Sequence, residues 1–308
     1  MVSRLRTQRR SAVIAAAVVS AATAMATMPA AHAGASSQAA TGTFTVLSYN
    51  VAGLPEPLSG SSPDKNTKLI SPRLNAYDVV NVQEDFAYDD DLRKHDEHPY
   101  RTKASAKGWI FGVPFSDGLN TFSDFRQSNL DREDWDKCTG TNCLTPKGFS
   151  FVQLEMPGGA TLDLYNVHMN AGSGSAKELR VRRDNTRQLS EYIQKHSAGH
   201  AVLVMGDMNS RYTRSGDIIR ELRDDNGFTD AWVELINGGK TPDIDDNAAT
   251  CKTENACEVI DKILYRSGSG LDLKATYYNN EYAKFLDSKG EQLSDHNPST
   301  VRFTYSVQ

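Results

Sequence analysis

Short apolar blocks, each closed by polar or turn-forming residues, recur along most of this chain. Residues 43–53 (TFTVLSYNVAG) carry Phe44, Val46 and Leu47 and read as a buried strand ending at Tyr49-Asn50. Gly53, Pro55 and Pro57 break it. The segment 64–76 suits a helix with Leu69, Ile70 and Leu74 on one side, and 77–86 (YDVVNVQEDF) a second apolar strand ending on Glu84. Residues 108–115 and 119–125 read as short strands joined by a turn at Ser116-Asp117-Gly118, and the polar stretch 127–146 as an exposed loop. The blocks 148–156 and 160–170 flank Pro157-Gly158-Gly159 and predict a hairpin. A helix follows over 175–196, with Leu179, Arg183, Thr186, Leu189 and Ile193 on one face. The run 200–209 (HAVLVMGDMN) is continuously apolar up to Asp207, as in a strand buried on both sides. A helix at 215–224, a helical or irregular piece at 228–235, strands at 257–266 and 273–278, and a loop feeding a terminal strand over 294–307 complete the pattern. Many strands with two or three helices between them predict two packed sheets with helices outside, a layered α/β sandwich.

The beginning of the chain follows a different pattern. Arg4, Arg6, Arg9 and Arg10 precede a charge-free run of small and apolar residues over 12–24, and Ala31-His32-Ala33 forms an A-x-A site. This is the pattern of a secretory signal peptide over 1–33, too short in its apolar run for the roughly 20 residues of a membrane span. Residues 34–42 are small and polar and read as a flexible leader, leaving 43–308 as one domain without an integral membrane segment. The chain has 34 basic and 39 acidic residues; the four leading arginines leave 30 against 39, a net charge of −9. No basic run marks a nucleic-acid groove, although bound metal cations can offset an acidic field locally. The four cysteines fall in two windows, Cys138 with Cys143 and Cys251 with Cys257. In an exported chain, pairing within each window is the simplest of the three pairings. Their spacing suits a zinc site poorly.

Chemistry collects where the strands end. Asn50 closes the first and Glu84 the second; His168 and Asn170 close the hairpin, Asp207 and Asn209 the most apolar strand, and Asp295 and His296 precede the last. Strand ends on one rim of a sandwich can bring such residues to one pocket. Carboxylates from Glu84, Asp207 and Asp295 with amide oxygens from Asn50 and Asn209 form a set of hard oxygen ligands, suited to Mg2+, with Mn2+ or Ca2+ as alternatives. Two histidines beside such ligands suggest acid–base work on a phosphate: one deprotonates water, the other donates to or stabilises the pentacovalent centre.

The pieces SYNVAG (48–53), VVNVQE (79–84), LYNVHMN (164–170), VMGDMNS (204–210), IDKILY (260–265) and SDHNP (294–298) resemble, in content and order, the DNase-I-like endonuclease/exonuclease/phosphatase superfamily. The resemblance spans residues 44–307. It implies a four-layered α/β/β/α sandwich of two mostly antiparallel sheets and hydrolysis of a phosphoester. It implies Glu84 as the principal metal carboxylate with Asn50 beside it, and His168 as the phosphate contact that stabilises or protonates the leaving group. Asp207 would orient or activate the attacking water, with Asn209 a phosphate or metal contact. His296 would be the general base, Asp295 its metal-linked partner, and Asp261 the carboxylate that fixes its tautomer. A buried Asp261 without a partner would also be costly, and a histidine base needs an orienter.

Within the superfamily the chain is similar to the secreted bacterial neutral sphingomyelinases, enzymes of phospholipase C type. The similarity lies in the order Gly108-Trp109, Asp117-Gly118-Leu119-Asn120, and Cys138 to Lys147-Gly148-Phe149. It implies a phospholipid or other phosphodiester substrate and an extracellular location. Transient membrane contact is expected through the aromatic stretch 271–286, with Tyr277, Tyr278, Tyr282 and Phe285. Trp109, Phe111, Phe115 and Phe122 could line a lipid-facing wall. Met169-Asn170 after His168 and the short cysteine loop depart from those enzymes, and Asn170 could instead contact a nucleotide or sugar phosphate. A secreted DNase-I-like endonuclease, a phosphomonoesterase acting on a small or inositol phosphate, and a fold that has lost catalysis are the other readings. A monomer is expected.

Overall fold

Two parallel β–α–β crossovers organise the protein, one in each of two sheets. The computed structural model describes residues 40–308 apart from 57, 60, 106–107, 111–112, 173 and 252, with the side chains of 106–115 also outside the description. The expected signal peptide and residues 34–39 of the leader lie outside the described residues.

The first crossover runs from β1 (Thr41–Asn50) through α1 (Pro63–Ile70) to β2 (Val79–Gln83). The leader is therefore shorter than expected, since Thr41 and Gly42 already pair with Ser306 and Tyr305. The helix expected over 64–76 is split: α1 passes into a 3-10 helix at Ser71–Ala76, because Pro72 has no N–H to continue the α ladder. Next come α2 (Asp89–Arg93), β3 (Tyr100–Arg101), a ribbon of β4 (Gly108–Ile110) and β5 (Val113–Phe115), and β6 (Asn120–Ser123). The ribbon and β6 do not form the single hairpin expected: β4 pairs with β5, whereas β6 pairs with β2 and β3. β7 (Arg126–Asp134) occupies most of the segment read as a loop. It is an exposed edge strand, so it lacks the apolar alternation that would betray it.

β8 (Gly148–Glu155) and β9 (Thr161–His168) form the expected hairpin, and β9 begins the second crossover through α3 (Ala176–His196) to β10 (Ala201–Asp207). Ser175 and Glu178 form a reciprocal capping box that starts α3. The buried face of α3 holds Val181, Arg182, Asn185, Thr186, Leu189 and Ile193, so Arg182 rather than Arg183 turns inward, where Asp217 receives its Nε at 3.1 Å. After α4 (Ile219–Asp225), β11 (Thr229–Asp230) and α5 (Ala231–Leu235), the chain closes with β12 (Asp261–Arg266), β13 (Leu271–Asn280) and β14 (Ser299–Val307). Both cysteine windows close locally, as Cys138–Cys143 and Cys251–Cys257.

The strand orders are β13-β14-β1-β2-β6-β3 and β11-β12-β10-β9-β8-β7. In each sheet the central pair is parallel and its neighbours antiparallel. The α1–α2 side packs on Leu47, Tyr49, Val80 and Val82, while Phe44, Val46 and Val79 face the inter-sheet core shared with β8–β10 and Leu189 and Ile193 of α3. This is the α/β/β/α sandwich. Phe122 is a fully buried core residue, which removes it from the suggested lipid-facing wall; Trp109, Phe111 and Phe115 fall outside the described side chains.

The segment 271–286 is likewise not a projecting aromatic hairpin. β13 alternates along the edge of its sheet, with Leu271, Leu273 and Ala275 inward, and Tyr278 and Phe285 are buried. Tyr277 alone among its four aromatics is largely exposed, under the Arg302 guanidinium. Among the described residues no helix is long and apolar enough to cross a membrane.

Gly206 permits the central pairing of β9 with β10. A Cβ there would overlap the Val167 carbonyl oxygen. Gly206→Ala is therefore expected to destabilise the protein by about 3 kcal/mol or more, a fall of roughly 6 °C or more in Tm. Thermal unfolding measures this, and an unchanged Tm would contradict the close approach.

Candidate active site

The parallel pairs place two strand C-termini side by side in each sheet, and the antiparallel neighbours start at the same rim. Register shows this directly: Asn50 lies opposite Gln83, and Asp207 opposite both His168 and Asp261. Beneath the rim the sheets are tied by polar contacts: Gln83 Nε2 donates to Asn166 Oδ1 at 2.8 Å, and Asn166 Nδ2 donates to the Val82 carbonyl at 2.9 Å.

Asp207 is the hub. Its Oδ1 accepts the Asn209 backbone N–H at 2.9 Å, and its Oδ2 accepts Asn50 Nδ2 at 3.2 Å. The same Oδ2 lies 3.6 Å from His168 Nε2 and 3.7 Å from His296 Nε2. Asn50 Nδ2 also donates to Glu84 Oε1 at 3.1 Å, and that oxygen is 3.4 Å from His168 Nε2. On the far side, His296 Nδ1 lies 3.1 and 3.0 Å from the two Asp261 oxygens. Glu84 and Asn209 both have left-handed backbones, φ 59° and 49°. Strain at non-glycine residues of this kind concentrates at functional sites.

The structure thus brings Asn50, Glu84, His168, Asp207, Asn209, Asp261 and His296 together. Two expectations change. Asp295 is exposed, its Oδ1 accepting the Ser294 hydroxyl at 3.4 Å, and it belongs to neither cluster of ligating atoms, Glu84–His168–Asp207 or Asp207–Asp261–His296. Asn50 turns its amide nitrogen, not its oxygen, to the carboxylates, because its Oδ1 accepts the Ala52 N–H at 3.0 Å. Asn170 is committed as well: its Oδ1 accepts Thr139 N–H at 2.9 Å and its Nδ2 donates to the Ala171 carbonyl at 2.7 Å.

Sequence reading missed Lys147 and Trp135 as parts of the site. Lys147 Nζ is 2.9 Å from His168 Nε2, and Trp135 Nε1 donates to the His168 carbonyl at 2.7 Å. Trp135 follows β7 and Lys147 precedes β8, and neither residue ends an apolar strand, so the apolar pattern does not mark them; Lys147 stood out only as part of the Lys147-Gly148-Phe149 similarity.

Burial, with the nearby Lys147 and His296 charges, pushes His168 well below the usual imidazole range, so it is neutral. Burial pushes Asp207 up, and the Asp261 and Glu84 charges add to that against the opposing pull of His296 and Lys147. Burial alone would lower His296, but Asp261, Asp207 and Asp295 outweigh it and raise it well above the usual range. Lys147 is lowered by burial, with Glu84 and Asp207 pulling the other way.

A family model of the endonuclease/exonuclease/phosphatase family 2 matches residues 65–259. The chain belongs to this family. It is 48% identical over 268 residues to a sphingomyelinase of Mycobacterium tuberculosis, covering 86% of this chain and 53% of that protein. The chain thus spans about half the length of that relative. Among solved structures, sphingomyelinase C from Streptomyces griseocarneus superposes with a TM-score of 0.59 at 17% identity, over 85% of this chain and 99% of the other. A doubly substituted beta toxin from Staphylococcus aureus with bound magnesium ions superposes with a TM-score of 0.59 at 15% identity, over 84% of this chain and 99% of the other. At such identities these likenesses show the shared sandwich fold of the family.

The residues fit a divalent cation. Glu84 and Asp207 bring carboxylate oxygens to one point beside the His168 imidazole, and the Asn209 backbone N–H donates to Asp207 there. Hard carboxylate oxygens suit a hard divalent cation better than a softer metal.

The raised His296 is a direct test of the dyad. Asp261→Asn removes the carboxylate that favours the imidazolium, so the His296 pKa should fall in metal-free protein, as read by an NMR titration of the imidazole. An unshifted titration would mean that Asp261 does not hold the ring.

Proposed function

We propose that this chain is a metal-dependent phosphodiesterase of phospholipase C type. In this reading it releases the phosphorylated head group of a phospholipid, sphingomyelin first among them, by attack of water on phosphorus. The observation that carries the reading is the meeting of the Glu84–Asp207 carboxylates with the Asp261–His296 dyad at one rim. The 48% identity to a sphingomyelinase supports the lipid substrate. An exported, monomeric enzyme is the corresponding biological reading.

His296 Nε2 faces Asp207 across 3.7 Å, so water held by Asp207 lies within reach of the base. The surrounding carboxylates make the imidazole a strong proton acceptor, and Asp261 at Nδ1 stabilises the imidazolium that forms. The water oxygen bonds to phosphorus, the P–O bond to the lipid alkoxide breaks, the alkoxide takes a proton from solvent, and His296 returns its own to solvent. His168, neutral and fully buried, stabilises the charged phosphoryl group by hydrogen bonding rather than by delivering a proton from an imidazolium. Asn50 keeps Glu84 and Asp207 in position. Glu84 and Asp207, with Asn209 beside them, would hold the cation, magnesium by preference. When bound, it withdraws charge from the phosphoryl oxygens.

Purified protein with magnesium should release phosphocholine from mixed micelles of sphingomyelin and phosphatidylcholine. Glu84→Gln should lower the rate by about 10³-fold or more, and a chelator should abolish it until magnesium is restored. Linear duplex DNA and a small phosphomonoester serve as competing substrates. DNA cleavage without lipid hydrolysis would replace this reading with a nuclease, and no hydrolysis of any of them would point to a fold without catalysis.

A further inference from the structure

The loop that follows β10 is organised by one carboxylate away from the catalytic cluster. The Asp217 side chain is fully buried and uses both oxygens. Its Oδ1 accepts Arg182 Nε at 3.1 Å, and its Oδ2 accepts the Arg211 backbone N–H at 3.1 Å and lies 3.0 Å from Arg214 Nη1. The Asp217 N–H also closes a turn onto the Arg214 carbonyl at 3.4 Å. Two of these arginines then reach the loops of the active site. Arg182 Nη1 donates to the Asn170 and Gly172 carbonyls at 3.4 and 3.3 Å, in the loop after β9. Arg214 Nη1 donates to the Asn209 carbonyl at 2.8 Å. That one nitrogen carries two hydrogens, so it can bridge Asp217 and Asn209 at once.

Asn209 is the residue in need of such a hold. Its φ of 49° is left-handed, a conformation that Asn adopts more readily than most residues but still at a cost. Three bonds keep it there. Its N–H donates to Asp207 Oδ1 at 2.9 Å, its Nδ2 donates to the Met169 carbonyl at 3.3 Å, and its carbonyl accepts Arg214. The first two come from the strand ends of the site itself, and only the third comes from outside it. That carbonyl has no other donor among the described residues, and the residue is 7% exposed. With Nδ2 committed to Met169, the side-chain Oδ1 is the polar atom that Asn209 has left to offer a ligand.

We propose that Arg214 is a positioning residue of the active site. Its Nη1, fixed by Asp217, holds the Asn209 carbonyl and with it the left-handed turn that keeps Asn209 beside Asp207. The effect on rate rests on the phosphodiesterase reading above, whereas the hold on the turn does not. Removal of the guanidinium leaves a largely buried carbonyl without a donor and lets the turn relax. A relaxed turn draws the Asn209 N–H from Asp207 Oδ1 and carries the side-chain oxygen away from the carboxylates. A lysine can make one such bond but lacks the rigid fork, so it restores the hold only in part.

The test compares wild type, Arg214→Met and Arg214→Lys in the full chain, each also combined with Asn209→Ala, with thermal unfolding to confirm folding. In metal-free protein the Asn209 amide should exchange its hydrogen about tenfold faster in Arg214→Met and about threefold faster in Arg214→Lys, while amides inside β10 keep their wild-type rates. With sphingomyelin micelles and magnesium, Arg214→Met should lower kcat/KM about tenfold, mainly through kcat. The loss should shrink to within about twofold once Asn209 is already alanine, because a residue that acts through Asn209 has nothing left to position. Equal losses in the two backgrounds overturn the proposal, and so does wild-type exchange at Asn209 in Arg214→Met. If wild type proves inert on sphingomyelin, the lipid reading fails, and hydrogen exchange at Asn209 still decides the role of Arg214. An Arg214→Met chain that does not fold leaves the decision to Arg214→Lys, where wild-type exchange at Asn209 counts against the proposal.

Discussion

One amide joins the two sheets at the place where the chemistry collects. Asn50 ends β1 in one sheet, and its Nδ2 donates both to Glu84 of that sheet and to Asp207 at the end of β10 in the other. The two carboxylates, Asp207 buried and Glu84 half-buried, repel each other, and in a low-dielectric setting that repulsion is costly unless donors lie between them. The Asn50 carbonyl is in turn fixed by the Ala52 N–H, so the donor cannot rotate away. Loss of this clamp would let the acidic groups separate and with them the point at which both sheets contribute to one site.

The fold makes the clamp geometrically available. A parallel pair sends two strand ends to the same rim, whereas an antiparallel pair sends one end and one beginning. Each sheet has one parallel pair at its centre, and each supplies two site positions from it: Asn50 and Glu84 from one, His168 and Asp207 from the other. The antiparallel neighbours add beginnings, Asp261 at the start of β12 and His296 in the loop ahead of β14. The polar interior around Gln83 and Asn166 belongs to the same design, since buried amides that satisfy each other fix the sheets in relation to one another as nonspecific apolar packing does not.

The two histidines share one pocket but differ in charge because their neighbours differ. His168 is buried beside a lysine, which lowers its proton affinity, while His296 is surrounded by three carboxylates, which raise its own. Neighbouring titratable groups driven apart in this way are suited to different tasks on one substrate.

The pattern of apolar runs was enough to establish which strands lie in the core and which residues end them. A run such as 200–207 can only be buried, and a polar group that closes such a run must sit at a rim, so Asn50, Glu84, His168 and Asp207 were legible from the chain alone. The GDMN and SDHNP pieces added the family. The edge strand β7 was not legible, because a solvated strand has no apolar face to alternate, and β13 was read as a strand although its aromatics said nothing of which side they faced. Folding was needed to turn Asp295 to solvent while its neighbour His296 points inward, a matter of one residue's rotation about the chain. Folding also brought Lys147 and Trp135, more than 20 residues from His168 in sequence, to close on it from an adjacent part of the sheet. Such contacts depend on register between strands, and register is set by the packing of the whole sheet rather than by any one segment.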